Sequence, residues 1–284
     1  MEKYENMQYV GERPLFAKTD AFISGCSFSD GESPLKECSN IIVSECNFLW
    51  RYPLWYGKTV SVDSSSFSVD TRAGMWYTDN LTVSNCVIDS PKNIRRCDGV
   101  KINNSVFNGG EETLWHCKNI SIADTIIKGN YLALNSENLE INNLELDGKY
   151  SFDGVRNCVI RNSKLITKDA FWNSENVSVY DSYISAEYLG WNAKNLTLVN
   201  CEIESLQGMC YIDNLKMVNC KLKNTTLAFE YSTVDVDIDG YVDSVFNPAG
   251  GIIRADGIGE LTLDSDYIDP SKTKIEIKNS DKKA

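Results

Sequence analysis

The sequence predicts an all-β fold, a right-handed parallel β-helix of about twelve rungs of 19–21 residues each, and three observations carry that expectation. One short phrase recurs along the chain: Asn, apolar, x, apolar, x, Asn/Asp, small residue, x, apolar. Asn195-Leu196-Thr197-Leu198-Val199-Asn200-Cys201-Glu202-Ile203 and Asn176-Val177-Ser178-Val179-Tyr180-Asp181-Ser182-Tyr183-Ile184 are two copies. The opening residue falls at Asp20, Asn40, Thr59, Asn80, Gly99, Asn119, Asn138, Asn157, Asn176, Asn195, Asn214 and Thr233, a spacing typical of solenoids. Finally, the apolar positions alternate, are rich in β-branched residues and lie between turn formers, which makes them short strands. Leucine-rich repeats share the period but need an L-x-x-L-x-L phrase that is absent here. Strict hexapeptides, the mark of a left-handed β-helix, are missing as well.

Numbered from the opening residue, positions +1 and +3 face inward, as in Ile41/Val43, Leu81/Val83, Ile120/Ile122 and Leu196/Leu198. Position +5 holds Asn85, Asn104, Asp124, Asn143, Asn162, Asp181, Asn200 and Asn219, residue types that tolerate left-handed backbone and close turns. Stacked copies place these amides above one another, where they form ladders. Position +8 is apolar from Phe28 to Leu222, and position −5 from Leu35 to Met209, with Gly190 the exception. Residues 1–19 are expected to cap the first rung through Tyr4, Leu15 and Phe16. The β-helix covers 20–264, with 260–264 as its last rung. Residues 265–284 supply an edge strand near Lys274–Lys278 and a charged tail.

Composition excludes several classes. A net charge of −12 and pI near 4.7 repel a nucleic-acid backbone. No apolar run reaches the roughly 20 residues that span a bilayer, and the start, Met1-Glu2-Lys3-Tyr4, lacks the layout of a secretion signal. A cytoplasmic protein without membrane or nucleic-acid partners is expected. Eight of the ten cysteines share repeat columns with Ser, Thr and Ala: Cys26, Cys46, Cys86, Cys201 and Cys220 at +6, Cys38, Cys97 and Cys117 at −2. Such columns describe small buried side chains, and the sequence calls for neither metal nor cofactor.

Several segments carry a resemblance: Gly11-Glu12-Arg13-Pro14-Leu15-Phe16, Gly31-Glu32-Ser33-Pro34-Leu35, Tyr52-Pro53-Leu54-Trp55-Tyr56, Arg72-Ala73-Gly74-Met75-Trp76-Tyr77, Glu112-Thr113-Leu114-Trp115, Asp169-Ala170-Phe171-Trp172 and Leu227-Ala228-Phe229-Glu230-Tyr231. Across nearly its whole length the chain resembles a bacterial family of unknown function. The resemblance implies a right-handed β-helix of the pectate-lyase-like superfamily and brings no activity with it.

Candidate chemistry gathers just before the opening residue. Trp55, Trp76, Trp115, Trp172 and Trp191 all occupy −4, a place that other copies give to Lys36, Arg95, Leu134 or Asp153. A position that accepts charge is not a closed interior one, so −4 and −3 (Tyr56, Tyr77, Arg96, His116) are expected to form an outward ridge. Trp and Tyr beside polar groups suit a sugar, which has an apolar ring face and a hydroxyl rim. Packing of the tryptophans under Tyr52, Tyr131, Tyr150 and Tyr188 of the preceding loops is the plainer reading. Arg51, Arg72, Arg95 and Arg96 form a cationic spot fit for an anionic glycan. Glu112 and His116, the sole histidine, are the candidate acid and base if the protein is an enzyme. The expectation is an oligosaccharide or polysaccharide partner bound along this ridge; the alternatives are a glycan lyase or hydrolase, or a scaffold.

Overall fold

The structure, a computed structural model, describes residues 1–278. Apart from the two 3-10 turns Val69–Thr71 and Pro270–Lys272, its regular elements are all strands. No helix among the described residues is long and apolar enough to cross a membrane. The chain forms two units, Met1–Gly148 and Lys149–Ala284. Each is a parallel β-solenoid, the fold that the repeat predicts.

The first unit has eight turns, whose opening strands are Glu2–Glu5, Thr19–Ser24, Ser39–Ser44, Lys58–Asp63, Asp79–Ser84, Asp98–Asn103, Lys118–Lys128 and Glu137–Asp147. Each pairs in parallel with the next. The second has seven: Arg156–Arg161, Glu175–Tyr180, Lys194–Val199, Asp213–Lys223, Thr233–Ile238, Gly250–Ala255 and Thr273–Ile277. These also pair in parallel, in sequence order.

All twelve expected openings start such strands, and three further turns lie outside them. Residues ahead of Asp20 make one: Glu2–Glu5 lies on Thr19–Ser24, and Gln8–Val10 on Ser27–Ser29. Residues 260–264 are not a rung opening. Gly257–Thr262 pairs with Tyr241–Phe246 in a separate sheet, and the opening strand of that turn is Gly250–Ala255. Longer turns around Gly240 and Pro248 shift the phrase there and hide it. The strand Thr273–Ile277 adds to Gly250–Ala255; the tail expected beyond it falls on 279–284, outside the described residues.

Asn and Asp recur because the backbone needs them twice per rung. Position +5 is left-handed throughout, from Asn85 (φ 55°) to Asn219 (φ 52°), as the residue type predicts. The opening residue is left-handed too, for example Asn119 (53°), Asn176 (57°) and Asn195 (54°), which the sequence reading did not anticipate. At Gly99 (φ 74°) a Cβ would come within 2.9 Å of Asn80 Oδ1, so glycine replaces Asn there. The amides stack into ladders: Asn195 Nδ2 donates to Asn176 Oδ1 at 2.8 Å and Asn214 Nδ2 to Asn195 Oδ1 at 2.8 Å.

Inward columns build each core. Tyr9, Phe28, Phe48 and Phe67 stack with centroids 5.2, 5.1 and 4.7 Å apart, each contact adding about 0.5–1.5 kcal/mol beyond burial. All ten cysteines are buried thiols. Those at Cys46 and Cys86 donate to backbone carbonyls, and burial pushes them up to about 11, so they stay protonated and unreactive at neutral pH.

Candidate functional site

The segment before each opening residue turns a corner that sends −5 inward and −4 and −3 outward. Leu54, Met75, Ile94, Leu114, Phe171 and Met209 at −5 are fully buried, whereas the tryptophans at −4 are partly exposed. Left-handed residues at −3, such as Tyr56 (57°), Tyr77 (56°), Asn173 (52°) and Asn192 (58°), complete the corner.

In the first unit this corner is closed by its own side chains. Trp55 and Trp76 stack 5.3 Å apart at 5°, and the Arg95 guanidinium lies 4.9 Å from the Trp76 ring and 4.2 Å from that of Trp115. Trp76 thus has a neighbour on each face. A second ladder runs beside it, with Tyr56 on Tyr77 at 4.8 Å and Arg96 6.0 Å from Tyr77. The indole N–H groups are used as well: Trp55 donates to Ala73 O, Trp76 to Lys92 O at 2.7 Å and Trp115 to Tyr131 O at 2.7 Å. Trp55 also packs on Tyr52, and Trp115 on Tyr131 edge-on.

The charged groups of this stretch are similarly committed. Glu112 pairs with Arg95 and, at 3.3 Å, with Lys92; Arg51 lies 3.6 Å from Glu32. Arg72 is exposed. His116 is exposed, its backbone N–H donating to Leu134 O, and no hydrogen bond joins it to Glu112 among the described residues. The stretch brings Trp55, Trp76, Tyr77, Arg95, Arg96 and Trp115 together, as a closed stack rather than an open groove, with Arg95 Nε buried and without a hydrogen-bond partner.

The second unit departs from this pattern between residues 164 and 211. Earlier rungs bend at −7, where Tyr52 (59°), Ala73 (58°), Lys92 (60°) and Tyr131 (60°) are left-handed. Here the strands Lys164–Ala170 and Tyr183–Leu189 run straight through −7, and only the bend at −5 remains, at Phe171 (61°) and Gly190 (77°), a place already left-handed at Leu114 (61°) and Ala133 (62°). Asp169, Tyr188 and Gln207 therefore stand in register on successive rungs, Asp169 opposite Tyr188 and Tyr188 opposite Gln207. Facing them across the corner are Trp172 and Trp191. The result is a cleft of about 330 Å³ lined by Asp169, Ala170, Trp172, Tyr188, Trp191 and Gln207.

These two tryptophans are not stacked on each other. Trp172, 41% exposed, makes no ring contact among the described residues. Trp191 rests one face on Tyr211 at 5.0 Å and meets Tyr188 edge-on at 5.9 Å. Among the described residues neither indole N–H has a protein acceptor. Two indoles thus line a space large enough for a sugar ring.

The cleft is acidic. Burial, with the nearby charges of Glu187 and Asp153, raises the Asp169 carboxyl above the ordinary range against the opposing pull of Lys168. Asp153, raised by burial, is partly relieved by a hydrogen bond from Asn173. Glu230 accepts from Gln207 Nε2 at 2.9 Å, and Lys168 lies 3.8 Å from Glu187. Asp169 Oδ1 is buried and has no hydrogen-bond partner.

Of the residues singled out in the sequence, Trp172 and Trp191 line this cleft. Asp169, Tyr188 and Gln207 did not stand out as site residues. Their signal is the missing punctuation in Leu165-Ile166-Thr167-Lys168-Asp169-Ala170, where other rungs carry Asp89-Ser90-Pro91, Asn108-Gly109-Gly110 or Asp147-Gly148. Without a turn former the strand continues and lifts −7 off the corner.

Fold and cleft together define a parallel β-solenoid with an aromatic and acidic cleft at one corner. The chain belongs to the family described as "Protein of unknown function (DUF3737)", which matches residues 2–276. No curated protein matches it. Among solved structures it is similar to PfbA, a surface adhesin of Streptococcus pneumoniae, at 8% identity over 97% of this chain and 84% of that one, with a TM-score of 0.40. It is also similar to the A-module of the mannuronan C-5 epimerase AlgE6 of Azotobacter vinelandii, at 11% identity over 98% and 78%, with a TM-score of 0.30.

Proposed function

We propose that this protein binds a carbohydrate, and that the binding site is the Trp172/Trp191 cleft rather than the ridge of the first unit. The observation that carries the reading is the pair of indoles that do not stack on each other and whose N–H groups have no acceptor among the described residues, set against a polar column of Asp169, Tyr188 and Gln207. A pyranose offers C–H groups to the indoles and hydroxyls to the polar column, which is the mixture of apolar wall and few polar groups typical of small-ligand sites. An anionic sugar, the ligand suggested by the arginines, would meet carboxylates here, while Arg51 and Arg95 are already paired with Glu32 and Glu112.

A glycan array followed by calorimetric titration of the best-bound oligosaccharide tests this. Trp191→Ala or Trp172→Ala should weaken binding about tenfold or more, roughly the loss of one good contact, and Trp76→Ala should leave it unchanged. Binding that responds to Trp76→Ala and ignores Trp191→Ala would return the site to the first unit. An array without any bound glycan would remove the reading.

A further inference from the structure

We infer that the cleft takes a sugar bearing a free ammonium group, received by the carboxylate of Asp169; this rests on the carbohydrate reading above. The cleft and its surround hold four carboxylates, Asp153, Asp169, Glu187 and Glu230, against one ammonium, Lys168, which is 3.8 Å from Glu187. Three of the four have a partner: Asp153 is bonded by Asn173, Glu187 is paired with Lys168, and Glu230 accepts from Gln207. Asp169 differs in that its buried Oδ1 has none.

A buried acceptor left without a donor costs about 1–3 kcal/mol, and more when charged. A neutral hydroxyl supplies a donor but leaves the crowded negative charge uncompensated. An ammonium supplies both, with three donors and a positive charge. Burial and the neighbouring carboxylates push Asp169 toward its protonated form, and a bound cation would reverse that. The walls favour the same ligand, because indole and phenol faces attract cations, by about 0.5–2 kcal/mol. Trp172, Tyr188 and Trp191 surround the space into which Asp169 points its strand position. N-acetylation of the sugar nitrogen removes the charge while keeping the ring, and a uronate inverts it.

The test compares a β-1,4-linked glucosamine tetramer with its fully N-acetylated counterpart by calorimetry at about pH 5.5, acidic enough to charge the sugar amines and above the ordinary carboxylate range. The glucosamine form should bind about tenfold tighter, and its advantage should shrink in about 0.5 M salt. Asp169→Asn should abolish the preference, the glucosamine tetramer losing about tenfold more affinity than the N-acetylated one. Glu187→Gln, a more exposed change, should reduce the preference in part. Equal affinity of the wild-type protein for both tetramers overturns the inference, as does a preference that survives Asp169→Asn. If both bind equally and Trp191→Ala weakens both, the ammonium assignment alone falls. If neither these nor any array glycan binds, the carbohydrate reading falls with it.

Discussion

Trp55 and Trp76 lie 5.3 Å apart and nearly parallel, whereas Trp172 and Trp191, likewise one rung apart at the same repeat position, leave a cleft between them. The backbone around them differs more than the residues do. Where the corner bends at −7, each indole settles on the Trp or Arg of an adjacent rung and its N–H reaches a carbonyl of the next one. Where the strand runs on to Ala170 and Leu189, the −7 and −4 side chains stand as two separate walls. One column of tryptophan therefore serves stability in the first unit and is available to a ligand in the second.

The largest expected separation between the two regions is in stability. Trp76→Ala opens a gap between Trp55 and Arg95 and frees the Lys92 carbonyl, so urea denaturation should show a loss of about 2–3 kcal/mol. Trp172→Ala, at an exposed ring without stacking partners, should cost less than about 1 kcal/mol. Equal losses would erase the contrast. Next comes Arg95→Ala, which uncovers a face of both Trp76 and Trp115 and leaves Glu112 with Lys92 alone. About 1–2 kcal/mol should be lost, with no change in glycan binding. A loss of binding there would draw the two regions together.

The smallest effect is a pH signature of the cleft. The Asp169 carboxyl is raised in the folded protein, so the folded state holds its proton more tightly than the unfolded one does. Stability from this group is then highest at low pH and declines as pH rises through the unfolded and then the folded pKa. Asp169→Asn should therefore raise Tm at pH 7 by about 2 °C, an advantage that disappears below about pH 4. A Tm that falls at pH 7 would mean the ionised carboxylate is stabilising.

Much of this was legible in the sequence because the solenoid reads out one position at a time. Asn at +5 signalled a left-handed turn, Phe at +8 an inward stack, and Lys, Arg or Asp at −4 an outward place, all of which the structure places so. The terminal turns escaped because Glu2–Glu5, Gly250–Ala255 and Thr273–Ile277 lack the Asn-headed phrase, their edges and longer turns relaxing the need for it. The difference between stack and cleft was hidden for another reason. Trp115 and Trp172 look alike in sequence, and only the bend two or three residues earlier decides which way the rings can go. Asp169 lies with Asp153, Glu187 and Glu230 on or near the same edge, but no spacing singles it out, since its place in the cleft depends on strand continuation rather than on a motif.

The 19-residue step between Glu175 and Lys194 has a consequence for how long this protein must be. Excising residues 176–194 joins Glu175 to Asn195, recreating the Glu-Asn junction that Glu175 makes with Asn176, so the seam would carry the same residue pair as the native one. Length in such a chain is quantised. A lineage can drop or duplicate a turn as a cassette, and this particular deletion would discard Tyr188 and Trp191, removing two walls of the cleft while sparing the scaffold.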